Sequence, residues 1–147
     1  MRESDTYAEL RPLLTRLFAV DRVENAIAPG FPDVLLSNSC QTIFVELKAE
    51  IGKRLHGAQV AWILRRAEKG CVDDAFVVTR NKQAWYIFWM IDVARNVGLV
   101  SLDLDHVKCA GPEAVVKNLY QYMFSNEGDM NDTRRRTAER LTGTQAQ

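Results

Sequence analysis

The sequence predicts a mixed α/β (α+β) fold, a central sheet flanked by helices in the order α-β-β-β-α-β-β-α. Three observations predict it. Apolar residues recur every three to four positions near the N-terminus and again in two later stretches. Between these stretches lie short β-branched and aromatic runs. Gly and Pro punctuate the boundaries.

Each element follows from a local pattern. From Asp5 to Val20 the apolar positions Tyr7, Leu10, Leu13, Leu14, Leu17 and Phe18 form one helical stripe. Ser4 or Asp5 is the expected N-cap, and Pro12 is expected to kink or restart the helix. Val20–Ile27 reads as a first strand closed by Pro29-Gly30 and Pro32. "DVLLSN" is the second strand and Asn38-Ser39 a turn. "QTIFVELKA" is the third, with Ile43, Val45 and Leu47 on one face and Thr42, Phe44, Glu46 and Lys48 on the other. A basic, glycine-punctuated loop from Gly52 to Gly57 leads into "AQVAWILRRAEKG", a helix expected to end at Gly70. "DDAFVVTR" and "QAWYIFWM" read as two covered strands, and "EAVVKNLYQYMF" as a last helix. Residues 1–124 thus form a single domain, while 125–147 are polar and predict a mobile tail or a short helix.

Bulk properties narrow the function. The 147 residues are 47% hydrophobic and 26% charged, enough to bury one core without staples. The charged start "MRESDTYAEL" and the lack of a long apolar run predict a soluble, cytoplasmic protein with no membrane partner. Cys40, Cys71 and Cys109 show neither zinc nor disulfide spacing and are expected to be reduced thiols, mostly buried. Formal charge is zero, which argues against nucleic-acid binding by bulk electrostatics. Lys53, Arg54, Arg65, Arg66, Lys69 and Arg80 nevertheless concentrate basic charge between Lys48 and Lys82.

The stretch "PGFPDVLLSNSCQTIFVELKAE" places charge where strands should be apolar. A tight antiparallel turn can bring Asp33, at the start of strand two, to Glu46 in strand three. Two facing carboxylates are neutralised by protonation or by a divalent cation, and Mg²⁺ favours one or two carboxylates plus water and phosphate oxygens. Lys48, on the same face as Glu46, could orient an attacking water or stabilise developing charge. That set suits phosphodiester hydrolysis. Plainer alternatives stand beside it: Asp33 as a turn residue, Glu46 and Lys48 as a solvated cross-strand face, Gln59 as an exposed helix residue.

Pro32-Asp33 followed by Glu46-Leu47-Lys48 resembles the PD-(D/E)XK nuclease signature, and the likeness covers about Asp5 to Arg80. "GFPDVLL", "FVELKA" and "HGAQVAWILRRAEKG" together look like the virus-type replication-repair nuclease (VRR-NUC) module, with Gln59 matching its helix-opening glutamine. The resemblance implies a restriction-endonuclease-like core. It also implies Mg²⁺ (or Mn²⁺) on Asp33, Glu46 and a further acidic residue, for which Glu9 is preferred over Glu24. Catalysis would then fall to Asp33, Glu46, Lys48, Gln59 and Glu9, and DNA contacts to Lys53, Arg54, His56, Arg65 and Arg66.

By the same resemblance the chain is expected to be a structure-selective DNA endonuclease of the phage Holliday-junction resolvase type, acting on branched DNA as a homodimer in a host cytoplasm. Two other classes remain open: an inactive DNA-binding or assembly module of this fold, and an intracellular protein-interaction domain using "AWYIFWM". Trp62, Trp85 and Trp89 are expected in the core, with Trp85 and Trp89 at a dimer contact. His56 and His106 read as lone structural or surface groups, though His56 could also meet phosphate. Arg134-Arg135-Arg136 reads as a solvated charge run.

Overall fold

The computed structural model describes residues 3–23, 30–39, 41–124 and 128–146. Its elements are α1 (Glu3–Leu17), β1 (Ala19–Arg22), β2 (Val34–Ser37), β3 (Thr42–Lys48), α2 (Gly57–Ala67), β4 (Ala75–Asn81), β5 (Ala84–Trp89), α3 (Met90–Arg95), β6 (His106–Cys109), α4 (Pro112–Phe124) and α5 (Asp129–Ala146). The six strands lie in sequence order, β1-β2-β3-β4-β5-β6. All neighbours are antiparallel except β3 and β4, which run parallel because α2 carries the chain back across the sheet. The result is a six-stranded mixed sheet flanked by helices, the α/β class that the sequence predicts.

Alternation sorts the sheet into two faces. Register pairs Val34 with Val45 and Leu36 with Ile43, so these residues and Leu47 share the face that receives α1 and α4. There Leu10 and Leu14 of α1 and Phe18, which follows the helix, are buried, and Phe18 meets Tyr120 of α4. The opposite face carries Phe44, Glu46, Lys48, Val77 and Thr79 and is covered by α2 and α3, which pack on each other. Burial on both faces explains why β4 and β5 read as continuous apolar runs.

The structure differs from the sequence expectation in several places. Pro12 sits inside α1 without ending it, and the helix begins at Glu3, so Ser4 and Asp5 lie within it. Strand β1 ends at Arg22, while residues 24–29, including Glu24 and Pro29, lie outside the described residues, as does Cys40. α3 and β6 were not expected: Met90–Arg95 continues directly from β5, and "HVKC" is too short to stand out by pattern. Where a mobile tail or a short helix was expected, Asp129–Ala146 forms an 18-residue helix whose Met130 is buried. On α5, Arg134 reaches Asp92 at 2.7 Å and Asp73 at 3.2 Å, and its guanidinium lies over the Trp89 ring, so this arginine is not simply solvated. Trp85 and Trp89 are buried inside one chain, which removes them as a dimer contact. Among the described residues no helix is long and apolar enough to cross a membrane.

Candidate active site

The segment "GFPD" is built into the sheet residue by residue. Gly30 has φ +86°, and a Cβ there would stand 2.1 Å from the Ala58 carbonyl oxygen, so only glycine lets this loop lie against the first turn of α2. Phe31 packs edge-on against Phe44 of β3 and Trp62 of α2, with ring centroids 5.7 and 5.5 Å apart, and Phe44 closes the triangle with Trp62 at 5.4 Å. Arg66 caps the cluster, its guanidinium over both Phe44 and Trp62, and pairs with Asp74 at 2.5 Å. Pro32 is buried.

Asp33 follows, one step beyond the Val34–Val45 pair and hence opposite Glu46 in the antiparallel register. Its Oδ2 accepts a hydrogen bond from the Leu47 backbone N–H at 3.0 Å. The carboxylate is thus tied to the peptide that follows Glu46.

Glu46 and Lys48 are not a solvated face. Their side chains are 2% and 4% exposed, beneath α2. Lys48 Nζ lies 3.5 Å from Glu46 Oε2, so the ammonium supplies the counter-charge that a buried carboxylate needs. Gln59 is also buried rather than exposed. Its Nε2 donates to the same Oε2 at 2.6 Å, and its Oε1 accepts the His56 backbone N–H at 2.8 Å. Gln59 is the third residue of α2 after the His56 cap, so its Oε1 is engaged as in one half of a capping box. That bond fixes which end of the amide faces Glu46, since only the NH₂ can donate to a carboxylate.

The remaining expected residues divide. Glu9 pairs with Arg80 at 2.6 Å. Arg80 alternates with Thr79 on β4 and therefore belongs to the α1 face, away from Glu46. Among the described residues no group of three His, Cys, Asp or Glu side chains comes together to hold a metal, so Glu9 is not brought to Asp33 and Glu46. Lys53, Arg54, His56 and Arg65 are exposed on the loop and helix that follow Lys48 and carry Gln59. Lys53 pairs with Glu50 at 3.6 Å, and Arg54 donates to the Val97 carbonyl at 2.9 Å. Arg66 is held by Asp74 and the rings. His106 is structural: Nδ1 lies 2.7 Å from the Leu104 carbonyl and the ring packs on Tyr86 and Phe88.

Sequence reasoning missed the Phe31–Phe44–Trp62–Arg66 cluster that locks the loop to the helix. Its signal was present in the phenylalanine between Gly30 and Pro32, an apolar residue in a turn.

The two carboxylates suit a hard divalent cation. Both offer oxygen, and among the described residues Asp33 Oδ1 takes no hydrogen bond while Oδ2 is anchored. Among the described residues these two carboxylates stand together without a third, and further positions on a cation would go to water or substrate phosphate, as Mg²⁺ prefers.

No protein-family model matches the chain, and no curated protein matches it either. Among solved structures it is similar to Hjc, a Holliday junction resolvase from the archaeal hyperthermophile Archaeoglobus fulgidus. The TM-score is 0.40 at 24% identity, covering 59% of this chain and 72% of that one.

Proposed function

We propose that the chain is a metal-dependent nuclease that hydrolyses DNA phosphodiesters. The observation that carries this reading is the buried set Glu46–Lys48–Gln59 at the parallel β3–β4 seam, with Asp33 tied to the adjoining peptide. A structural role alone does not account for it. Burying an ion pair is a poor source of stability compared with apolar packing, whereas a carboxylate, an ammonium and an amide held in fixed relation serve a reaction well.

Asp33 and Glu46 would hold the cation, Mg²⁺ or Mn²⁺. When bound it supplies Lewis-acid stabilisation of charge on the scissile phosphate and makes water a stronger nucleophile. Gln59 keeps the Glu46 carboxylate in one rotamer. Lys48 orients the attacking water or offsets the charge that develops on the phosphate. Lys53, Arg54, His56 and Arg65 contact the nucleic-acid backbone; Arg66, committed to Asp74, supports the loop instead.

The finer reading is a structure-selective endonuclease on branched DNA, a resolvase, working as a homodimer in the cytoplasm. Two sites related by a twofold axis match the symmetry of a four-way junction. One observation favours a second reading, an inactive DNA-binding module: Glu9 is engaged by Arg80, and among the described residues no third carboxylate joins Asp33 and Glu46.

Cleavage of labelled four-way, flap, nicked and linear DNA by wild type and Glu46→Gln, each with Mg²⁺, Mn²⁺ or EDTA, separates the two readings. Metal-dependent cutting that disappears in Glu46→Gln is expected. A folded wild type that binds DNA but cuts none of these substrates establishes the binding module.

A further inference from the structure

The buried face of β4 holds a hydroxyl that the fold itself does not use. Thr79 is 0% exposed, and its Oγ1 has no hydrogen-bond partner. The same strand places valine at Val77 and Val78, and valine would fill the Thr79 site without stranding a polar group. An orphaned buried hydroxyl of this kind calls for an explanation.

Register supplies one. Thr79 is the parallel partner of Lys48, so the two side chains leave adjacent strands on the same face, under α2. The Lys48 contact with Glu46 Oε2, at 3.5 Å, is long, and that oxygen already accepts the Gln59 amide at 2.6 Å. A cation engaging Glu46 would weaken the hold on the ammonium. The unpartnered Thr79 hydroxyl is an acceptor on the same face for an ammonium released in this way.

We propose that Thr79 is a positioning residue for Lys48, its hydroxyl receiving the ammonium when the charge of Glu46 is taken up by another group. The inference rests on the nuclease reading only for its catalytic consequence. Its structural content is a switch of hydrogen-bond partner within the protein.

A metal-free experiment tests it. Glu46→Gln removes the charge from the carboxylate partner of Lys48, and in the crystal structure of that variant Nζ should lie within hydrogen-bonding distance of Thr79 Oγ1. In urea, Thr79→Val should leave the wild-type midpoint unchanged or raised, yet lower the midpoint of Glu46→Gln. Effects of Thr79→Val that are equal in both backgrounds, or an Nζ remote from Oγ1, overturn the proposal.

Should Glu46→Gln not fold, kinetics decide. Thr79→Val should lower kcat about tenfold at unchanged KM, with Thr79→Ser restoring the rate. Unchanged kcat in Thr79→Val overturns the proposal. Failure of the wild type to cut nucleic acid refutes the nuclease reading alone, and the urea and crystallographic results then judge Thr79.

Discussion

Gln59, in the first turn of α2, donates its side-chain amide to Glu46 Oε2 in β3 at 2.6 Å, while the same amide accepts the His56 backbone N–H at 2.8 Å. One side chain thereby serves as helix cap and as rotamer lock for a buried carboxylate. Gln59→Glu should damage both tasks, because a second carboxylate would face Glu46. Cleavage is expected to fall at least about 100-fold, with Gln59→Ala intermediate. Single-turnover rates measure this, and a wild-type rate in Gln59→Glu would remove Gln59 from the site.

The Glu46–Lys48 pair makes a thermodynamic prediction that needs no substrate. With both side chains almost fully buried, Lys48→Met removes the ammonium from beside a buried carboxylate and should destabilise by about 3–5 kcal/mol. The double variant Glu46→Gln/Lys48→Met should recover most of that loss. Urea denaturation of the two single variants and the double one checks it, and simple additivity would show that the pair is not coupled.

Gly30 is bound to its place by sterics. Gly30→Ala brings a methyl group into the Ala58 carbonyl and also strains a backbone at φ +86°. The expected cost is about 2–4 kcal/mol or a displaced loop. Thermal unfolding should report the cost, and any displaced loop should lower cleavage through Asp33. A variant as stable and active as the wild type would mean that the loop does not lie against α2.

Cys109 gives a pH dependence. Burial pushes its thiol up to about 11 from an ordinary value of 9.0; Asp129 adds to the rise, and a hydrogen bond from Asn118 offsets part of it. A raised folded-state value means that the unfolded chain releases this proton first. The stability contributed by the neutral thiol is therefore complete below about pH 9 and is lost as pH rises from 9 towards 11. Cys109→Ala should flatten that part of the stability profile. In native protein at pH 8, mass spectrometry should find iodoacetamide on the partly exposed Cys71 and none on Cys109 until denaturant is added.

Much of the fold was legible because it rests on local periodicity. The period-two pattern of "QTIFVELKA" put Glu46 and Lys48 on one face before any strand pairing was known, and β3 spans Thr42–Lys48. The stripe of α1 and the glycine-bounded α2 were equally local. Short β6 and α3 escaped because four to six residues hold too little pattern, and Pro12 misled because one lost N–H in an otherwise well-packed helix costs less than the burial of Leu10 and Leu14 contributes.

What the sequence determined by itself was the set of chemical groups and their order: a proline-aspartate turn, a Glu-x-Lys strand, and a glutamine opening the next helix. What only the tertiary structure decided was which of them meet. Strand alternation and the parallel β3–β4 register turned Glu46, Lys48 and Thr79 inward beneath α2, and the same alternation turned Arg80, with Glu9, to the opposite face. Spacing along a chain constrains neighbours on one element. Which side of a sheet a helix covers depends on how the whole apolar surface is buried, and no short motif contains that information.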